Sequence, residues 1–227
     1  MSAIPLHPCA WLTCAALLSG CATTPSELEA VDGAQVWVKS VHLPDSEPWY
    51  THFADHTWFE VQSGAEHWRI EVLHPTSGVV VEPIDAADLG EDVRWGREVH
   101  VLERFTGERA DRVARELLER APSYPFEDGY RAYPGPNSNT FAVWLAREID
   151  GLAYQPYSTA IGQNYSPGGR LGITPNGTGI ELESTWIGLE LGVAEGVRFE
   201  LAGLALGVGL WPPRIELPFL RGFPAGF

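Results

Sequence analysis

Three groups of residues have types and spacing that could support chemistry. His52 and His56 stand four apart, a zinc-ligand spacing, but the Glu of H-E-x-x-H is missing and strand-like residues come next. No metal site is expected there. Glu82, Asp85, Asp88, Glu91 and Asp92 form an acidic run with no basic residue. It lacks the D-x-D-x-D-G order of a calcium loop and reads as a solvated loop. Asn137-Ser138-Asn139 opens an apolar helical stripe, where side-chain oxygens cap backbone N–H groups. A helix start also favours negative charge. That field can hold a thiolate, but a serine hydroxyl is far less acidic and needs a base within hydrogen-bond reach. No P-loop, dinucleotide fingerprint or G-x-S-x-G is present, and no cofactor is expected.

Composition narrows the classes further. The 227 residues carry 15 Lys+Arg against 30 Asp+Glu, a net charge of −15, which argues against nucleic acid as a partner. All three cysteines, Cys9, Cys14 and Cys21, fall in the first 21 residues. The chain beyond Cys21 therefore has no internal disulfide, thiolate metal site or catalytic thiol.

The elements that must position these groups are read from periodicity. Alternation predicts strands at 35–41, 57–61, 67–72 and 97–102, with a short one at 79–81. The second and third, joined by Ser63-Gly64, read as a hairpin. Thr106 to Arg120 is a helix with the stripe Ala110, Val113, Ala114, Leu117, Leu118, closed by Pro122. Asn137 to Ile149 is a second helix, with Phe141, Trp144, Leu145 and Ile149 on one face and Asn137 or Ser138 as its cap. Beyond Gly151 the chain turns Gly-rich. Strands alternate at 180–183, 189–193 and 197–201, with Glu195-Gly196 as a turn. The uncharged stretch 201–213 reads as a buried strand pair or a surface-seeking apolar edge, too short to span a bilayer.

Residues 1–21 contain no Asp, Glu, Lys or Arg, and Trp11 to Leu18 form a short apolar stretch. Leu18-Ser19-Gly20-Cys21 resembles a bacterial lipobox, in which the Cys becomes the acylated (palmitate-bearing) new N-terminus after the signal peptide is removed. The resemblance implies Cys21 as the lipid attachment. Ala22, not Asp, at the next position implies the outer membrane, facing the periplasm. Residues 22–33 then form a polar tether.

Asp55-His56-Thr57-Trp58-Phe59, Tyr130 to Phe141 (YRAYPGPNSNTF) and Thr159-Ala160-Ile161-Gly162 with Tyr165 resemble the bacterial family catalogued as domain of unknown function 3750. The name implies no activity. A more distant resemblance, to permuted papain-like proteins of the NlpC and lecithin:retinol-acyltransferase types, rests on order. His56 opens a strand, His67 lies on the next, and Asn137-Ser138-x-x-Phe141 begins a helix. That resemblance implies Ser138 as nucleophile in a slot that usually holds Cys. His56 would be the base, with His67 (or His74) orienting it and helix-start N–H groups holding an oxyanion. Asn137, Asn139 and Tyr133 would shape the site.

The expected fold is α+β. A small antiparallel sheet with two packed helices makes a permuted papain-like core over 34–165, and a Gly-rich β extension covers 166–227. The expected function is that of a cell-envelope lipoprotein. One form is a hydrolase or acyltransferase acting on envelope amide or ester bonds. The second is a silent relative binding an envelope peptide or lipid in the same groove. The third is a structural lipoprotein whose apolar C-terminal strands dock to a membrane partner.

Overall fold

Alternating segments pair into two antiparallel sheets in the computed structural model, which describes residues 33–73, 78–89, 93–210 and 213–223. Cys21 and the rest of 1–32, His74, and Glu91 with Asp92 of the acidic run lie outside the described residues. The described residues all fall in one unit, 31–227.

The first sheet is built from β1 (Gln35–His42), β2 (Asp55–Ser63), β3 (Glu66–Val72), β4 (Val79–Pro83), β5 (Val93–Arg94) and β6 (Arg97–Thr106). Its strand order is β4-β3-β2-β1-β6-β5. Side chains alternate between faces along a strand. Val36, Val38, Phe59, Val61, Ile70, Val72 and Phe105 therefore share one face and form the core with both helices. Helix α1 (Gly107–Arg120) buries the predicted stripe, with Val113 and Leu117 at 0% exposure. On its outer side Arg120 and Glu116 meet at 3.2 Å, and Asp111 accepts the Ala34 N–H at 2.7 Å. Helix α2 (Ser138–Glu148) buries Phe141, Leu145 and the C-capping Ile149, but also Val143 and Ala146 on other sides. It is enclosed because a second sheet lies near its outer side.

The other face of the first sheet is polar and equally buried. Lys39 pairs with Glu60 at 2.5 Å and donates to the Leu89 carbonyl. Glu60 also accepts from Trp58 Nε1 at 2.9 Å. The chain between β4 and β6 crosses this face, with Arg94 stacked over Trp58 and Trp95. Leu89, which the sequence placed in a solvated acidic loop, is 2% exposed.

The second sheet is a meander of β7 (Arg170–Ile173), β8 (Gly179–Glu183), β9 (Ile187–Gly192), β10 (Gly196–Leu201), β11 (Leu204–Leu210), β12 (Pro213–Leu217) and β13 (Leu220–Phe223). The stretch expected as a buried strand pair or a surface-seeking apolar edge does turn apolar side chains outward, but from an inner strand and not from an edge. β11 is flanked by β10 and β12, and Leu206 and Val208 are half exposed. Arg147 of α2 reaches the inner side of this sheet, its guanidinium 3.1 Å from Glu181 and bonded to Glu183. Mixed helices and antiparallel sheets make the fold α+β.

Candidate functional site

The start of α2 is held by a dense set of hydrogen bonds, and Asn137 carries the cap. Its Oδ1 accepts from the N–H groups of Asn139 (3.0 Å) and Thr140 (3.2 Å), and Thr140 Oγ1 accepts the Asn137 N–H in return. Asn137 Nδ2 donates to the carbonyls of Ala132 and Ile161. Asn139 Nδ2 donates to Asp55 O and Ile161 O, and its Oδ1 accepts from Thr57 Oγ1 at 2.8 Å. Thr140 Oγ1 donates to Gly162 O at 2.6 Å. The three stretches that carry the family resemblance thus meet at one junction. Gly162 has φ +85°, and a Cβ there would lie 2.5 Å from Asn137 Nδ2, so only glycine fits.

Asp55 extends the junction. Its carboxylate accepts from Thr159 Oγ1 and lies 3.2 Å from His42 Nδ1, and its N–H donates to Thr159 O. Neither Asp55 nor Thr159 stood out as a site residue in sequence, because a lone carboxylate in a strand carries no periodic signal.

Ser138 does not cap the helix. It lines a cleft with Leu43, Ala54, Asp55, His56, Tyr130 and Tyr133, and is 5% exposed. Tyr133, 43% exposed, forms the outer wall. His56 contributes to this cleft, but its imidazole is committed elsewhere. Thr57 bonds α2, so the side chain of His56, one residue away, points to the opposite face. There His56 Nε2 meets Glu71 Oε2 at 2.7 Å, beneath Arg94, whose Nη2 donates to Glu71 Oε1 at 2.8 Å. The ring stacks with Trp58 at 5.7 Å and tilts against Trp95 at 5.2 Å. Among the described residues no hydrogen bond joins Ser138 to His56.

His67 is not the residue that orients His56. It pairs with Gln62 in the hairpin, six positions along β2 from His56. At a strand rise of 3.3 Å this is about 20 Å away. Glu71 fills that place. The hairpin register carries the signal for it: pairing 62 with 67 puts even positions of β2 and odd positions of β3 on one face. His52, the other member of the zinc-spaced pair, contacts Glu47 O and does not converge with His56.

Burial pushes the His56 imidazole below its ordinary value, against the pull of Glu71. Burial alone would raise Glu71, but the hydrogen bond with His56 and the hydrogen bond and charge of Arg94 hold it down at about 2. A neutral imidazole donating to a carboxylate is a structural pair here, sealed at 4% and 0% exposure.

The inner side of the second sheet is a further ionic cluster. Arg198, 1% exposed, lies 3.2 Å from Glu200 and 3.1 Å from Glu216. Burial raises Glu200 to about 7, with Arg198 opposing and Glu190 adding to the rise. Gln163 Nε2 donates to Glu200 Oε1 at 2.9 Å.

Comparison with known proteins places residues 37–165 within the family described as Protein of unknown function (DUF3750). No curated protein and no solved structure matches the chain.

Proposed function

The chain belongs to the DUF3750 family, and from that premise we propose that it is a catalytically silent cell-envelope lipoprotein, acting by binding and not by bond cleavage. In this reading Cys21 is acylated, residues 22–33 are the tether, and the protein faces the periplasm from the outer membrane. The first sheet with α2 against it is a permuted papain-like core over 34–165, and the β extension over 166–227 supplies a binding surface. One observation carries the silent assignment. The His56 imidazole pairs with Glu71 on the sheet face away from α2, while a working Ser–His pair needs it within reach of the hydroxyl.

The polar residues of the α2 start support the same reading. Asn137, Asn139 and Thr140 spend their hydrogen bonds on the backbone of the Ile161–Gly162 turn and of Asp55. A fluorophosphonate probe applied to the full chain tests the proposal. No covalent labelling is expected. Labelling that disappears in Ser138→Ala would overturn the silent reading and restore Ser138 as a nucleophile. Metabolic incorporation of a palmitate analogue, lost in Cys21→Ser, tests the anchor separately.

A further inference from the structure

The second sheet has its polarity reversed relative to a water-facing sheet. On β7 to β12 no outward position among the described side chains carries a charge or a polar atom: each is Leu, Ile, Val, Phe or Pro. Leu171 is 77% exposed, and Val197 and Ile215 are over half exposed. Inward positions hold Glu, Arg, Gly or Ala, and Glu181, Glu183, Arg198, Glu200 and Glu216 are buried. A one-sided antiparallel sheet in water puts apolar residues inside and polar ones out. Here the charges bear the desolvation cost and the apolar side chains are left uncovered, so both choices oppose stability in water. Both become consistent if the outer face meets hydrocarbon, the alternation that membrane β-proteins use.

The apolar face is continuous across the strands. Val197 lies opposite Leu191 and Val208, and Ile180 opposite Leu191 and Ile173. Seven strands at about 4.8 Å spacing make a face about 30 Å wide, larger than the few-hundred-Å² patches of ordinary monomers. A protein partner would be met by a polar rim and roughly one hydrogen bond per 100–200 Å². Across β7 to β12 the described outward side chains offer no donor or acceptor, and lipid chains need none. Trp186 and Phe219, both more than half exposed, sit in the β8–β9 and β12–β13 turns at the same end of the sheet. Aromatic residues gather in this way at membrane interfaces.

Strand length decides between spanning and lying flat. β7 to β13 are 4 to 7 residues long, short of the roughly 9–11 that a crossing strand needs. We infer that the outer face of the second sheet lies in the acyl-chain region of one leaflet of a phospholipid bilayer. This rests on the envelope reading only for delivery. A tether of residues 22–33 reaches at most about 40 Å from an acylated Cys21, which keeps the sheet within range of the membrane surface.

The test uses the full chain with Cys9, Cys14 and Cys21 replaced by Ser, so that failure of acylation cannot affect the result. A fluorophore is attached at Val197→Cys on the outer face, or at Ser123→Cys in the exposed turn after α1, outside the second sheet. Vesicles of phosphatidylethanolamine and phosphatidylglycerol, brominated high or low along the acyl chain, supply the quencher. The expected result is at least about threefold quenching at 197, strongest with bromines near the headgroup, and none at 123. Equal quenching at all depths would replace the single-leaflet arrangement with a spanning one. No quenching at 197 would overturn the proposal, including when the apolar N-terminal stretch alone binds the vesicles. So would a lipid-free dimer that shields the 197 label and ignores vesicles, since the occupant would then be a second copy.

Discussion

His56 Nε2 sits 2.7 Å from Glu71 Oε2, with Arg94 completing the carboxylate's shell from the other side. The pair is sealed under Trp58 and Trp95 on the face of the first sheet that α2 does not touch. Its protonation behaviour gives the first prediction. Burial lowers His56 below its ordinary 6.5, so below that pH the unfolded chain takes up a proton that the folded chain refuses. Stability contributed by the neutral ring is present above pH 6.5 and falls as the pH drops from there. Urea denaturation at pH 7.5 and at pH 5 should show this loss, and His56→Gln should flatten it. An unchanged slope in that variant would remove His56 as the source.

Glu71 behaves with the opposite origin but the same direction. Its folded value of about 2 lies below the ordinary 4.5, so its contribution is present above pH 4.5 and lost as pH falls through about 2. The difference corresponds to on the order of 3 kcal/mol. Glu71→Gln should therefore destabilise the fold by about 2–3 kcal/mol at pH 7 and by much less near pH 2. Equal losses at both pH values would contradict the charge argument.

The capping geometry separates two neighbours. Asn137→Ala removes two accepted backbone bonds and the donor to the Ala132 carbonyl, while Ile161 O keeps its bond from Asn139 Nδ2, for a cost of about 2–4 kcal/mol. Ser138→Ala should cost less than about 0.5 kcal/mol, because its hydroxyl does not cap the helix. If thermal denaturation ranks the two variants the other way round, the cap is misassigned.

Glu200 predicts a stabilising change. Its folded value is raised to about 7 by burial, so its contribution is fully present below 4.5 and lost as pH rises through about 7. Glu200→Gln keeps an acceptor for Gln163 and cannot ionise. It should raise stability at pH 8.5 by on the order of 2 kcal/mol and leave it nearly unchanged at pH 5. A loss at pH 8.5 would mean that the ion pair with Arg198 outweighs the burial cost.

Local pattern made much of this architecture legible. The alternation of Gln35–Val41, Thr57–Val61 and His67–Val72 sets three strands, because a face must be buried and its period is two. The stripe from Ala110 to Leu117 sets α1 for the same reason at a period of 3.6. The start of α2 was legible from Asn137 and the apolar run behind it. Strands β7, β12 and β13 were not, since a glycine interrupts β7 and β13 and a proline opens β12, and both residues weaken a strand signal.

Position along the chain said that His56, His67 and Ser138 share an order with a catalytic arrangement. Tertiary structure decided what they touch. Strand parity turns the His56 ring from α2 towards Glu71, and the hairpin register carries His67 about 20 Å away. The alternation of β8 and β10 was visible in the residues, but not which side faces the protein. That depended on Arg147 of α2 drawing Glu181 and Glu183 inward, which leaves Leu, Ile, Val and Phe outside. Periodicity separates the two faces of a strand, and only packing assigns one of them to the interior.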